Sequence, residues 1–529
     1  MVPSTELWQW LPQDGSFLQP ISLAFLLPLL ILLVISSCHR RTTKQQKPRP
    51  PPSPRRFPLI GNLHQLSSLP HRPLRALSQK HGPVMLLHLG QVPTLVVSST
   101  EAAREVMKTQ DLAFATRPLS MAAHLLSYGS RNVAFAPYGE YWRQAKKAVV
   151  VHLLGPNKVK SFRRAREEEV ALMVEKIAGE ASSPPSATAG VDLSEAFHSF
   201  SNALVSRVIA GSRTAGDERN KMFRELIDEA TATIGDLRLY DVFPSLAWLW
   251  SLLGMDSKLL RLFKKWGAFL DQVVDEHERH RAREGGEAPE EDFMDVLLSI
   301  QRDPAMDFSI SRNDVKAISM DLVAAGTDTS YTVLEWAMAE LVRNAGAMER
   351  AQREVMEVAG GKPIATEDDV ARMSYLRAVT KEVLRLHPPA PLLLPRESME
   401  DTRVQGYDVP RKAMVLVNVW AIARDPASWE APEEFRPERF LDCQTDFRGN
   451  DFQFIPFGAG RRLCPGINFA VCGIELALAN LLHRFDWALP GGASAKDLDM
   501  DEAPGITIRR KSRLRLVAIP RFASTDVGM

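Results

Sequence analysis

The residue best placed to do chemistry is Cys464, in the run Phe457-Gly-Ala-Gly460-Arg461-Arg462-Leu463-Cys464-Pro465-Gly466. Glycines let a backbone pass close to a flat ligand. The apolar stretch from Ile467 to Leu482 reads as a helix, and N–H groups at a helix start carry partial positive charge that favours a thiolate. Phe457 would pack beside the sulfur, and Arg462 would meet an acidic group of the ligand. A lone cysteine is more often an inert buried thiol, but here glycines, an aromatic and an arginine all sit at defined offsets from it. Gly458 and Gly460 also begin a GxGxxG pattern. Leu463 stands where the third glycine belongs and no strand–helix–strand unit precedes it, which excludes a dinucleotide loop.

Two further constellations accompany the loop. Ala325-Gly326-Thr327-Asp328-Thr329-Ser330 interrupts a long helical pattern with residues that are poor local choices for a helix. Their hydroxyls can bond back to the carbonyl one turn earlier and loosen it. Glu382 and Arg385 stand three apart on a helix that must end before His387-Pro388-Pro389. On a surface such a pair is worth only tenths of a kcal/mol.

The elements that must position these residues are mostly helical. Helical periodicity runs from Ser311 to Val355, opened by a Ser311/Asp314 capping box. Strand signals are short: Val84–Leu89, Thr94–Val97 and Val415–Val419. Ala181–Gly190 and Glu284–Asp292 read as surface loops, neither long enough to part independent domains. The expected fold class is mainly α with small β-sheets, in one large domain at 59–522 followed by a short tail at 523–529. With 529 residues and 45% hydrophobic content, the chain can bury a sizeable core. A formal charge of +1 gives no sign of a general nucleic-acid binder. Cys38, Cys443, Cys464 and Cys472 form no CxxC pair, which argues against a secreted disulfide framework.

The first residues suggest a membrane. Ile21 to Cys38 is an uncharged apolar run broken only by Pro28, close to the roughly 20 residues that span a bilayer. Arg40, Arg41, Lys44 and Lys47 follow it and no Lys or Arg precedes it. Residues 1–20 are therefore expected in the lumen, 21–38 as a transmembrane anchor and everything after Arg40 in the cytosol. A cleaved signal peptide would carry its positive charge before the apolar run. The Pro-rich end of the 39–58 segment reads as a stiff spacer.

Phe457, Gly460, Arg462, Cys464 and Gly466 match in full the signature FxxGxRxCxG, and the chain from Pro51 to about Arg510 resembles the cytochromes P-450. The resemblance implies a haem-thiolate fold around haem b (iron protoporphyrin IX). Cys464 would be the axial iron ligand, whose thiolate favours O–O cleavage. Gly326 would make room for oxygen, with Asp328 and Thr329 delivering protons to it. Glu382, Arg385 and Arg439 would form a buried structural network. Trp142 and Lys146 occupy WxxxR positions, with a lysine where arginine is usual, and a lysine lacks the bidentate fork. Arg396 would be a further haem contact. Arg143, Lys146, Lys147 and Arg461 would form a basic face for an electron donor. The chain has no flavin or nicotinamide fingerprint, so electrons from NADPH would come through a partner diflavin reductase of the same endoplasmic reticulum membrane. The implied activity is monooxygenation of a small apolar substrate using O2.

An oxygen-independent isomerase or dehydratase is the other enzyme reading, although such enzymes often lose the threonine–acid pair present here. A non-catalytic haem sensor or carrier would not need that pair. Phe57-Pro-Leu-Ile-Gly-Asn62 resembles plant microsomal enzymes of specialised metabolism, and phrases such as Phe223-Arg-Glu-Leu226 look most like grass indole and indolinone (benzoxazinoid-pathway) monooxygenases. By the same resemblance the pocket draws on Ser120–Leu126, Leu322–Ala325, Ala390–Leu394 and Pro504–Thr507, with His124 and Thr507 as its polar candidates. That lining suits a terpenoid, an oxime or a phenolic equally well.

Overall fold

The computed structural model describes residues 49–522, apart from 184–188, 212–220, 223–224, 231–232, 234–238, 247, 249–256, 285–291 and 304–308. The expected lumenal segment and anchor, the first half of the 39–58 hinge and the 523–529 tail lie outside the described residues, as do the centres of both expected surface loops.

The helices that matter for the site are α1 (Met121–Leu126), α2 (Glu140–Ala148), α3 (Leu193–Ala210), α4 (Ser257–Glu284), α5 (Phe293–Arg302), α6 (Arg312–Arg343), α7 (Ala345–Ala359), α8 (Ser374–Leu386) and α9 (Ile467–Arg484). Helix α6 is the axis of the body. It has 32 residues, a length of roughly 48 Å, and every position from Tyr331 to Leu341 is buried. A helix that is apolar on all sides must be surrounded, and α6 packs against α3, α8 and α9. Its start is the expected capping box: the Ser311 N–H and hydroxyl each donate to Asp314 at 2.7 Å. The single periodic run to Val355 divides at Asn344, whose φ of −117° leaves the helix. The Asn344 side chain bonds back to the Glu340 carbonyl at 2.8 Å, a local bond that competes with helix propagation.

The principal sheet is formed by β1 (Val84–Leu89), β2 (Val92–Val97), β3 (Arg396–Glu397) and β4 (Met414–Val417), in the order β1-β2-β4-β3. The β1–β2 and β4–β3 pairs are antiparallel, and β2–β4 is parallel. Strand β4 stops short of the expected Val419 because Asn418 accepts from the Ala421 N–H at 3.0 Å and starts a short helix instead. Smaller sheets of two and three strands complete the β content.

From Pro50 onward the chain forms one compact unit. Pro51 and Pro54 are buried, and the Leu86 N–H donates to the Pro52 carbonyl at 3.0 Å. The end of the stretch expected to act as a spacer is thus packed on β1. Among the described residues, no helix is long and apolar enough to cross a membrane.

Candidate active site

The Cys464 loop takes its shape from backbone demands. Gly460 has φ +67°, and a Cβ there would lie 2.1 Å from the Met107 carbonyl oxygen and 2.7 Å from the Asp111 carboxylate. Only glycine fits. The Cys464 N–H donates to the Phe457 carbonyl at 3.1 Å, which closes the loop, and the Phe457 ring packs edge-on to Phe447 at 5.4 Å. Gly466, immediately before α9, donates its N–H to the sulfur. Burial pushes the Cys464 thiol up, while that N–H and the Lys146 charge favour the thiolate.

Cations gather beside this loop. Arg462 is buried, with Nε and its two terminal nitrogens on the carbonyls of Ala115, Val133 and Ala136 at 2.7, 3.2 and 2.6 Å. Its guanidinium lies 4.1 Å from the centre of the Trp142 ring. Trp142 does not offer its own N–H to the site; that group donates to the Val133 carbonyl at 3.1 Å. Lys146, one turn further along α2, reaches the Arg461 carbonyl. Arg396, on β3, donates to Asp111 at 3.3 Å and to the Ala459 carbonyl at 2.8 Å.

Sequence reasoning missed a fourth member. Arg117 donates to the carbonyls of Ala134, Leu394 and Pro395 at 2.9, 2.7 and 2.8 Å. Burial, and then the charges of Arg462 and Arg396, hold Arg117 well below the usual arginine range. Burial and Arg396 lower Arg462 to about 9, and burial and Arg462 lower Lys146 to about 8. Such mutual repulsion between confined cations marks a site built for an anion. Haem carries two carboxylates, so its chemistry fits this donor set beside a cysteine sulfur.

On α6, the Thr329 hydroxyl donates to the Ala325 carbonyl at 2.7 Å. Asp328 does not share that face. It is buried, its carboxyl is hydrogen-bonded by Thr507, and burial pushes its pKa up while Thr507, Arg509 and His198 oppose. Thr507 is thereby turned toward the acid. His124, the other polar candidate, bonds Ser130 at 3.1 Å. Gly326 lines a small cavity with Phe469, Ala470 and Gly473 of α9, and an added Cβ would come within 3.0 Å of a Val205 methyl. Its bareness therefore serves the approach of α3 to α6.

Glu382 and Arg385 are fully buried and bidentate, at 2.8 and 2.8 Å. Arg439 adds a bond of 3.1 Å to the same carboxylate, and the Arg436 N–H one of 2.8 Å. Arg385 also takes the carbonyls of Ala423, Pro432 and Glu434. Every polar atom of Glu382 and Arg385 is used within the scaffold. Of the expected basic face, Arg143 is paired with Glu140 and Arg461 with Asp111.

A thiol held in a glycine-shaped loop beside confined cations has the chemistry that a haem-thiolate site requires. The chain belongs to the Cytochrome P450 family, whose model matches residues 51–515, and it is a cytochrome P450 monooxygenase. It is 47% identical over 526 residues to Cytochrome P450 736A117 of Prunus mume, covering 99% of this chain and 100% of the relative. It is 47% identical over 479 residues to strychnine-11-hydroxylase of Strychnos nux-vomica, covering 90% and 92%. A zebra fish cytochrome P450 structure with abiraterone superposes with a TM-score of 0.72 at 27% identity, covering 86% of this chain and 100% of the other. The family implies haem iron, dioxygen, a redox-partner reductase and a small-molecule substrate.

Proposed function

We propose that the chain is a microsomal monooxygenase that hydroxylates a small apolar specialised metabolite, with indole and indolin-2-one as the first candidates. The observation that carries the reading is Cys464 under a Gly466 N–H, with Arg396 and Arg462 close enough for their charges to act on Arg117 and Lys146. Bound haem supplies the reductive activation of dioxygen and the insertion of one oxygen atom into the substrate. The chain's own residues do the rest. Cys464 Sγ holds the iron, and Arg117, Lys146, Arg396 and Arg462 hold the carboxylates. Thr329 Oγ1 hands a proton into the cavity, and the Asp328 carboxyl, kept protonatable by burial, replaces it. The Ile21–Cys38 run anchors the protein in the endoplasmic reticulum membrane, where the NADPH-dependent reductase supplies electrons.

The test is turnover by the full-length protein in membranes with reductase, NADPH and oxygen, after haem loading is checked by the thiolate-type carbon monoxide spectrum. Indole or indolin-2-one should yield a product one oxygen atom heavier. A loaded enzyme that consumes neither substrate overturns the substrate assignment, and terpenoids, oximes and phenolics then follow. A chain that takes up no haem overturns the site.

A further inference from the structure

Asp321 is a half-buried carboxylate on α6 that the site just described does not use. It precedes Ala325 and Thr329 at spacings of four and eight, so all three share one helix face. A charge partly withdrawn from water needs compensation, and here one loop supplies the hydrogen bonds. The N–H groups of Val133 and Ala134 donate to one carboxylate oxygen at 3.0 and 2.9 Å, and the Asn132 side-chain amide donates to the other at 3.3 Å. Asn132 in turn accepts from the Phe135 N–H at 3.0 Å, which folds the loop on itself.

The carbonyls of this same loop hold the site's guanidinium groups. Val133 and Ala136 take Arg462 at 3.2 and 2.6 Å, Ala134 takes Arg117 at 2.9 Å, and Val133 also takes the Trp142 N–H at 3.1 Å. Amides at 133 and 134 thus face Asp321 while carbonyls at 133, 134 and 136 face the cations. We propose that Asp321 is a positioning residue for the haem carboxylates: it clamps the 132–136 loop to α6 and so fixes where Arg117 and Arg462 point. Burial pushes its pKa up to about 6, against the two N–H groups and the charges of Arg117 and Arg462. The carboxylate is therefore ionised at neutral pH and supplies a negative charge to a cation-rich volume.

The inference rests on the haem placement proposed above, and the test separates the two. Haem-loaded full-length protein is compared with Asp321→Asn, Asp321→Glu and Arg462→Ala for the rate of haem transfer to apomyoglobin and for the reduction potential. Asp321→Asn should lose haem about tenfold faster, the size usual for groups that orient a cofactor's holders. Its potential should also become more positive, because a nearby negative charge has gone. Asp321→Glu keeps the charge and should restore the potential. An Asp321→Asn protein with parental haem loss and potential overturns the inference. If Arg462→Ala is also parental, the haem placement itself fails. Should Asp321→Asn not accumulate as folded protein, Asn132→Ala removes one bond to the same carboxylate. It should give a smaller rise in haem loss, and a parental rate there overturns the inference equally.

Discussion

Thr329 and Asp328 are neighbours in sequence and look outward from different faces of α6. The hydroxyl is bonded to the Ala325 carbonyl at 2.7 Å, whereas the carboxyl is buried against Thr507. A proton passed from one to the other must therefore move around the helix as well as along it. Thr329→Ala should leave NADPH oxidation running but lower product per NADPH about tenfold, with peroxide rising in step, given that positioned proton transfer contributes at least about a hundredfold to rate. Product yield per NADPH equal to the parent's would count against the proton role. At this scale legibility follows locality. The Cys464 loop was readable because its shaping residues lie within ten positions of one another. Arg117 was not, because the carbonyls it takes at Leu394 and Pro395 lie more than 270 positions away. Asp321 was hidden for the same reason, since its loop is about 190 positions upstream.

Between elements, charge pairs set how helices meet, and one pair gives a pH signature. His277 on α4 bonds the Val273 carbonyl at 2.8 Å and Asp292 at 2.9 Å. Asp292 is also the residue that caps α5, accepting the Asp295 N–H at 2.8 Å. Burial pulls the imidazole down, but Asp292 outweighs it and holds His277 at about 9. The folded value lies above the unfolded value of about 6.5. The pair's stabilisation is thus complete below about pH 6.5 and disappears as pH rises toward 9. It is worth on the order of 3 kcal/mol. Denaturant midpoints should fall across that window in the parent and stay flat, relative to it, in His277→Gln; a parental slope in the variant would remove His277 from the account. Periodicity and apolar runs placed α6, α8, α9 and β1 well, because the body buries one face of α8 and nearly the whole of β1 and the second half of α6. It ran through Asn344 because a side chain bonding its own backbone leaves that pattern untouched.

Over the whole chain, the unit from Pro50 onward carries its own core and includes the last prolines of the expected spacer. A protein beginning near residue 49 should therefore keep the thiolate-type carbon monoxide spectrum and leave the membrane fraction, whereas the full chain stays with it. A shortened protein without that spectrum would show that the missing residues are needed for the body to fold. The fold class and single-domain plan followed from helical periodicity and the scarcity of long strands. The boundary did not, since a proline run reads alike whether it is free or packed on a strand.

Thr507 joins two design problems that are usually separable. It lies in the 504–507 segment, one of those expected to shape the pocket, and its hydroxyl holds Asp328, the acid proposed to supply the proton. Any exchange of substrate preference achieved by reshaping that turn also disturbs proton supply. Variants broadened there should diverge in how faithfully reductant becomes product, even when they bind the new molecule well. Selectivity changes made in α1, whose His124 bonds Ser130 instead, are free of that linkage.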